Sequence, residues 1–233
     1  MSVEIFPVVH VNEVSQALNQ SEIAYDAGAD GVYLIDHRNQ DTDLLLQSFN
    51  AVADTDRYRF IGLNFLQLES AENAFWFVDS QFQSGDIIRL PDAIWADDAI
   101  PLKHELLKLR QHNQELSKIL YLGGVAFKYT NTYTGDPEES IVQAKNLVSY
   151  VDVVTTSGKG TGMPPSIEKI RAMKQAIGDK KLAVASGISS ENIHEYTGLF
   201  DQLLVSSSIE IEPYSGIFDQ RKLKVLVELV HSL

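Results

Sequence analysis

The stretch LAVASGISSENIHEYTGLFDQLLVSS, residues 182–207, contains two short apolar runs that are separated by a segment with helical spacing. Residues 182–186 and 203–207 have the length and the aliphatic content of buried strands. Residues 190–199 repeat their apolar side chains at the interval expected of a helix. Parallel neighbouring strands need a crossover of this kind, so the stretch predicts a strand–helix–strand unit of a parallel sheet.

The same alternation extends along the rest of the chain. Strand-like runs occur at residues 5–11, 32–36, 60–65, 87–90, 119–127, 151–156, 182–186 and 203–207. Helix-like segments follow these runs, among them residues 41–53, 71–82, 102–115, 138–148, 166–177, 190–199 and 219–233. Such alternation in a chain of 233 residues predicts an α/β fold, a single-domain (β/α)8 TIM barrel of eight parallel strands that spans residues 1–233. An open doubly wound sheet is the alternative.

The composition limits the classes of partner. Acidic residues outnumber basic residues 32 to 19, and the formal charge of −13 repels nucleic acid and anionic membrane surfaces. The chain has no cysteine, which excludes disulfides and thiolate ligands. It also lacks a signal-peptide pattern and any run of about 18 apolar residues. We therefore expect a soluble cytoplasmic protein that binds neither nucleic acid nor membranes.

The segment VDVVTTSGKGTG, residues 151–162, leads from a strand-like run into a loop with three glycines. It is not a nucleotide-binding P-loop, because Gly160 occupies the position where Ser or Thr is required. It is not a dinucleotide fingerprint, because Met163 stands where the third glycine is required. The sequence therefore predicts no cofactor, and the glycines favour a main chain that approaches a phosphate closely.

Small polar residues also follow the seventh and eighth strand-like runs. In many barrels the loops after strands 7 and 8 bind phosphate through main-chain N–H groups and short hydroxyl side chains. We therefore predict a site for a phosphorylated small molecule formed by Gly158, Gly160, Thr161, Ser186, Gly187, Ser206 and Ser207. The structural alternative is that the serines only cap helices and the glycines only turn the chain.

Lys128 is the first candidate catalytic residue. Leu122, Gly124 and Ala126 share its face of the fifth run, so a cavity is expected under the ammonium group if that face points inward. The lysine would pair with an anionic substrate or, if burial lowered its pKa, form a Schiff base. A solvated lysine at a strand end is the alternative.

Asp36 and His10 end the second and first runs and are the other candidate catalytic residues. Val32 and Leu34 share the face of Asp36, so its carboxylate is expected to point into the barrel mouth as a general base. Structural hydrogen bonds at the rim are the alternative. No metal motif is present, and His10, Asp36 and His37 would meet only through the fold, so no metal site is predicted. The other expected pocket residues are Asn64, Arg89, Thr156 and Lys159.

These loops resemble those of the BtpA family of TIM barrels, which belongs with the ribulose-phosphate-binding barrels. The family pattern V-T-G-x-x-T-G is similar to residues 156–162, and its S-G-x-x-x-x-N is similar to residues 186–192. The segment AGADGVYLID, residues 27–36, resembles its second-strand unit. The lysine of the family's fifth strand, the histidine of its first strand and its "IR" pair correspond to Lys128, His10 and Ile88–Arg89.

The chain also departs from the family pattern. NEVSQ, residues 12–16, replaces a proline-rich stretch, and Gly124 replaces an aspartate four residues before the lysine. Ser206 and Ser207 replace a Gly-Thr or Gly-Ser pair, and Glu210 replaces a nearby lysine. These differences alter the first loop and remove a candidate acid or base partner of the lysine.

The resemblance implies that the barrel binds a phosphorylated metabolite, such as a phosphoribosyl compound. We expect an enzyme that acts on a phosphorylated sugar or nucleotide by isomerisation, lyase chemistry or phosphoribosyl transfer. A non-catalytic binding or assembly factor is the alternative, because the family's naming member is implicated in photosystem I stability. Such a factor would use an exposed apolar surface, for which the helix around Trp76 is the candidate. Barrels of this class often form homodimers, although no residue here indicates one.

Overall fold

The computed structural model describes residues 3–36, 41–56, 59–68, 70–99 and 103–233. Eight parallel strands close into a barrel in chain order. They are β1 (Glu4–His10), β2 (Val32–Ile35), β3 (Ile61–Asn64), β4 (Ala93–Ala96), β5 (Leu120–Gly124), β6 (Val153–Thr156), β7 (Lys181–Ala185) and β8 (Gln202–Val205). β8 pairs with β1, with Leu203 opposite Ile5. The predicted TIM barrel is confirmed, and the open-sheet alternative is wrong because the first and last strands are joined.

The α-helices of the described residues surround the strands. They are α1 (Val14–Asp26), α2 (Thr42–Thr55), α3 (Ala71–Ser84), α4 (Lys103–His112), α5 (Pro137–Leu147), α6 (Ile167–Ile177) and α7 (Gln220–His231). Several begin with a side chain that accepts hydrogen bonds from first-turn N–H groups, which fixes the start of the helix. These capping residues are Asp41, Ser70, Asp136, Ser166 and Asp219. No helix of the described ranges is both long enough and apolar enough to span a bilayer.

The helix predicted at residues 190–199 is wrong, because only a short 3-10 turn forms there, at Ile193–Tyr196. The Asn192 side chain accepts a hydrogen bond from the Ser189 N–H at 2.9 Å and donates one to the Gly187 carbonyl at 2.9 Å. Side chains that bond to the nearby main chain in this way compete with helix formation. The connection after β7 is therefore a compact loop.

The fourth strand was predicted at residues 87–90 but lies at Ala93–Ala96. Arg89 donates to the Arg59 carbonyl at 2.8 Å and to the Asp92 carboxylate at 3.0 Å. The Asp92 carboxylate in turn accepts from the N–H of Ile61, the first residue of β3, at 2.8 Å. These bonds hold the segment before β4 as a bend at the amino-terminal end of the barrel.

Buried side chains form two separate layers, one inside the barrel and one between the strands and the helices. Tyr33 and Ile35 of β2 belong to the inner layer, and Val32 and Leu34 belong to the outer layer. The orientation predicted for β2 is therefore reversed. All four positions are apolar because strands of a parallel barrel are buried on both faces, so the sequence offered no contrast between the faces.

Aromatic rings fill the upper part of the inner layer. Trp95 stands edge-on to Tyr33 and Phe127, with ring centroids 5.9 Å and 5.7 Å apart. β5 ends at Gly124, and Ala126 has a φ of 47°, which breaks the strand alternation. Phe127 consequently enters the barrel where the sequence predicted Ala126. The space expected beneath Lys128 is filled, so any cavity must lie above the strand ends.

Candidate active site at the carboxyl ends of the strands

A cavity of about 890 Å³ opens at the carboxyl ends of the strands. Active sites of TIM barrels occupy this end, and the volume lies within the range of small-molecule pockets. The floor is largely apolar and includes Val8, Ile35, Trp95, Phe127 and Leu204. The sequence-predicted residues that line the cavity are His10, Lys128, Thr161, Ser186, Gly187, Ser206 and Ser207.

Loop 6 (residues 157–166), loop 7 (residues 186–192) and loop 8 (residues 206–219) meet at one side of this cavity. The Gly158 N–H donates to the Ser186 hydroxyl at 3.0 Å, and that hydroxyl donates to the Met163 carbonyl at 3.1 Å. A Cβ added to Gly162 would lie 3.9 Å from the Ser207 hydroxyl. Loops 6 and 7 are thus hydrogen-bonded together, and loops 6 and 8 are neighbours.

Residues from all three loops line the cavity, and several of them have unpaired main-chain N–H groups. Within the described ranges, those of Gly162, Gly187, Ser207 and Ser208 have no hydrogen-bond acceptor in the protein. Free amides that line one space can form an anion-binding concavity. We call this set of four amides the amide cradle.

The amide cradle differs in detail from the predicted phosphate site. Gly158 and Gly160 do not line the cavity, and the Gly158 N–H is already bonded to Ser186. The Thr161 N–H is likewise occupied, because it donates to the Tyr129 hydroxyl at 3.1 Å. The unpaired amides at the cavity are instead those of Gly162 and Ser208, which the predicted phosphate site did not include.

Lys128 reaches the cavity from the loop after β5. Its side-chain Nζ lies 3.5 Å from the Thr161 hydroxyl, and its main-chain N–H donates to the Ser157 hydroxyl at 2.7 Å. Burial lowers the pKa of Lys128, and the nearby Asp97 carboxylate opposes part of that shift. An amine in this setting can exchange a proton closer to neutral pH than an exposed lysine can.

Asp97 is a cavity residue that the sequence analysis missed. It directly follows β4, and its Oδ1 accepts a hydrogen bond from the Asn64 side chain at 3.1 Å. Burial raises the pKa of Asp97 to about 6, although the Asn64 hydrogen bond and the Lys128 charge act in the opposite direction. Asn64 thus acts on the site through Asp97. The segment AIWADD, residues 93–98, would have indicated this carboxylate had the strand been assigned there.

Tyr129 and Tyr214 hold loop 6 from two sides. The Tyr129 hydroxyl accepts from the Thr161 N–H, and the Tyr214 hydroxyl donates to the Thr161 carbonyl at 3.4 Å. Both tyrosines have positive φ angles, of 64° and 68°, which residues with a side chain rarely adopt. Nothing in the sequence indicated them, because their bonds to Thr161 span loops that are distant along the chain.

Lys169 lies under loops 5 and 6 and is only 1% exposed. Its Nζ donates to the Ala126 carbonyl at 2.8 Å and to the Ser157 carbonyl at 2.9 Å. Burial lowers the pKa of Lys169 to about 8. This ammonium group therefore connects the segment that carries Lys128 with the start of loop 6.

Replacing Lys169 with methionine should change how stability depends on pH. The pKa of this lysine is lower in the folded chain than the ordinary value of 10.5, so the native state releases its proton first as pH rises. The unfolding free energy of the wild type should therefore gain roughly 2 to 3 kcal/mol over Lys169→Met between pH 7 and pH 10. Denaturant unfolding at several pH values measures this. Lys224→Met, at an exposed position of α7, is the control and should show a flat difference; a flat difference for Lys169→Met would contradict the assignment.

Several predicted site residues lie outside the cavity. Arg89 is at the opposite end of the barrel, in the bend before β4 described above. Asp36 is 3% exposed and follows β2 without lining the cavity, and Thr156 is fully buried in β6. Lys159 is exposed in loop 6 but does not line the cavity either.

The metal alternative involved His37, which is outside the described residues. Within the described ranges, no three His, Asp or Glu side chains are close enough together to hold a metal ion.

Comparisons with known proteins agree with the fold. The sequence profile of the BtpA family matches residues 61–232. A search among curated protein sequences gave no match.

Solved structures similar to this chain include two phosphoribosyl anthranilate isomerases. The enzyme from Thermotoga maritima, solved as monomers of a dimeric protein, has a TM-score of 0.67 and 15% identity, over 99% of this chain and 100% of its own. The enzyme from Thermococcus kodakaraensis has a TM-score of 0.67 and 14% identity, over 100% of both chains. A geranylgeranylglyceryl phosphate synthase from Thermoplasma acidophilum, bound to sn-glycerol-1-phosphate, has a TM-score of 0.64 and 11% identity, over 100% of this chain and 94% of its own. At these identities the similarity establishes the fold.

Proposed function

The chain belongs to the BtpA family, and we propose that its barrel binds a small phosphorylated metabolite and acts on it as an enzyme. One observation carries the proposal: the amide cradle and the Asp97–Lys128 pair line the same cavity. The first can hold a phosphate, and the second can move a proton. The similar structures support the proposal. Two of these proteins are named for a phosphoribosyl compound, and the third is bound to sn-glycerol-1-phosphate.

The phosphate end of the ligand lies against loops 6, 7 and 8. Four unpaired N–H groups offer hydrogen bonds to phosphate oxygens at a position that is fixed before the ligand arrives. Binding energy from this remote group can then be used to place the reacting atoms. The overall charge of −13 makes such a local arrangement necessary, because the long-range field opposes anions.

The reactive end of the ligand lies against Asp97 and Lys128. Their side chains make no direct ion pair within the described part of the chain, so a substrate atom can occupy the space between them. The Asp97 carboxylate can remove a proton from carbon next to a carbonyl group, and the Lys128 ammonium can donate a hydrogen bond to the oxygen that becomes negative. Of the three reaction types expected from the sequence, isomerisation and lyase chemistry use this arrangement directly.

Ser207→Asp tests the phosphate site. The added carboxylate would stand beside the amide cradle and repel a phosphate, whereas Ser207→Asn adds a neutral side chain of nearly the same shape. We expect Ser207→Asp to weaken binding of a phosphorylated ligand roughly tenfold or more, and Ser207→Asn to have a much smaller effect.

A thermal-shift screen of phosphorylated metabolites and their unphosphorylated counterparts supplies the ligand for this measurement. A compound present at 100 times its Kd stabilises the native state by about 2.7 kcal/mol, which is readily detected. If the two Ser207 variants bound the phosphorylated compound with equal affinity, the proposed position of the phosphate beside Ser207 would be wrong.

One observation supports the alternative function, a non-catalytic binding or assembly factor. Trp76 on α3 is 53% exposed, which is unusual for a tryptophan and suits a contact with another protein. This alternative predicts that Trp76→Ser abolishes capture of a protein partner while no phosphorylated metabolite shifts the melting temperature.

A further inference from the structure

A buried carboxylate lies directly behind the amide cradle. Glu210, at the end of the short 3-10 turn Ser207–Ile209, is only 1% exposed. Its Oε1 accepts a hydrogen bond from the Ser206 hydroxyl at 2.7 Å. Its Oε2 is buried and has no hydrogen-bond partner among the described residues. Glu210 therefore acts on the cavity through Ser206, which lines it.

The bond to Glu210 decides what Ser206 can offer to a ligand. A serine hydroxyl has one proton and two lone pairs. Because the proton points to the carboxylate, only the lone pairs remain for the cavity. Ser206 can thus accept a hydrogen bond from a ligand but cannot donate one.

The charges near Glu210 leave its carboxylate uncompensated. Lys222 on α7 lies close to Glu210, but its Nζ donates to the main-chain carbonyls of Glu210 and Ile211, at 2.7 Å and 3.3 Å. Asp219 and Glu191 also interact with Lys222 and so compete for its charge. No ion pair to the Glu210 side chain occurs within the described ranges. A second full negative charge in the cradle would be repelled.

We propose that the cradle selects an oxyanion that carries a proton. The O–H group of this anion donates a hydrogen bond to the Ser206 hydroxyl oxygen, and the amides bind the remaining oxygens. The inference rests on the proposed phosphate site and specifies it. A phosphate group satisfies it, because at neutral pH one of its oxygens can bear a proton. A sulfate group has no proton to donate, so its oxygen would face the Ser206 lone pairs. Glu210 is thereby a specificity residue for phosphate over sulfate.

Inorganic phosphate and inorganic sulfate are suitable probes, since they have the same shape and differ in the proton. We expect wild-type protein at pH 7 to bind phosphate at least tenfold more tightly than sulfate. The readout is the change in NMR shifts of the Gly187 and Ser207 amides during titration with each anion, which reports on the site itself. In Glu210→Gln the amide group can donate to Ser206 and release its hydroxyl proton toward the cavity. This variant should gain at least tenfold in sulfate affinity and lose most of the preference.

Ser206→Ala is a second variant, which removes the hydroxyl that accepts from the ligand and leaves Glu210 in the chain. It should lose phosphate affinity and keep the weak sulfate affinity of the wild type. Equal binding of the two anions to the wild type, or an unchanged preference in Glu210→Gln, would overturn the role of Glu210 and leave the phosphate site standing. Absence of shifts at Gly187 and Ser207 with both anions, in the wild type and both variants, would overturn the phosphate site and the inference together.

Discussion

Asp97→Asn should lower turnover by roughly 10²- to 10⁴-fold, the usual contribution of a positioned general base. The substitution keeps the shape of the side chain and its contact with Asn64 but removes the group that accepts the proton. In the wild type the rate should rise with pH through the Asp97 pKa of about 6, because only the carboxylate is an effective base. Steady-state kinetics on the phosphorylated substrate from pH 5 to pH 8 measures both effects.

Asp98→Asn is the matched control, since the neighbouring carboxyl group does not line the cavity. It should leave the rate nearly unchanged at pH 8, and it should move the pH profile only slightly to lower pH, because the Asp98 charge is the smallest of the causes that act on the Asp97 pKa. If Asp97→Asn and Asp98→Asn retained similar activity, Asp97 would have no role in proton transfer.

The same Asp97→Asn variant should be more stable than the wild type at neutral pH. The folded pKa of Asp97 is raised from 3.8 to about 6, so the native state loses stability relative to the unfolded chain as pH rises across that interval. The neutral asparagine avoids this loss, and we expect a gain of roughly 3 kcal/mol in the free energy of unfolding above pH 7. A loss of activity that coincides with a gain in stability would distinguish a functional carboxylate from a structural one.

Gly187→Ala should destabilise the protein by about 3 kcal/mol or more and abolish anion binding at the cradle. A Cβ at this position would lie 2.0 Å from the Pro164 nitrogen and 2.3 Å from the Met163 carbonyl carbon. Both atoms belong to the main chain of loop 6, so neither can rotate away. Loops 6 and 7 would have to separate, and the Gly162 and Gly187 amides would no longer converge. Denaturant unfolding and phosphate titration measure the two losses.

Gly198→Ala separates this collision from backbone strain. Gly198 has a φ of 73°, close to the 68° of Gly187, but an added Cβ would have no atom within 4 Å. The control should therefore lose only the roughly 1 kcal/mol that a side chain costs in this conformation, and it should bind anions normally. Similar losses in the two variants would show that loop 6 does not pack on Gly187 as described.

The order of the strands could be predicted because each apolar run is followed by a polar turn and a helical segment. The position of β4 could not, because the run IIRL at residues 87–90 has more branched aliphatic side chains than the true strand AIWA at Ala93–Ala96. Its location depends on the bond of Arg89 to the Arg59 carbonyl and on the bond from the Ile61 N–H to Asp92, which join segments that are distant along the chain. That displacement hid Asp97, since a residue is recognised as a strand-end residue only when the strand is placed correctly.

The meeting of loops 6, 7 and 8 could be predicted from the sequence, but the atoms that they present to the cavity could not. Parallel topology brings the carboxyl ends of β6, β7 and β8 together, so their small polar residues were expected to converge. Which amides remain free depends on bonds such as that of Gly158 to Ser186, 28 positions away. The predicted orientation of Asp36 is wrong for a different reason. The residues of β2 are apolar on both faces, so the sequence does not show which face points into the barrel.

The paired tyrosine contacts on Thr161 have a consequence for the energetics of ligand capture. Two residues in an unfavourable backbone conformation secure the exposed part of loop 6 through bonds within the protein itself. The conformational entropy of that loop is thus lost during folding, and an incoming anion does not have to spend its own interaction energy on ordering it. The barrel mouth behaves as a preorganised receptor, whose affinity arises from complementarity instead of closure around the ligand.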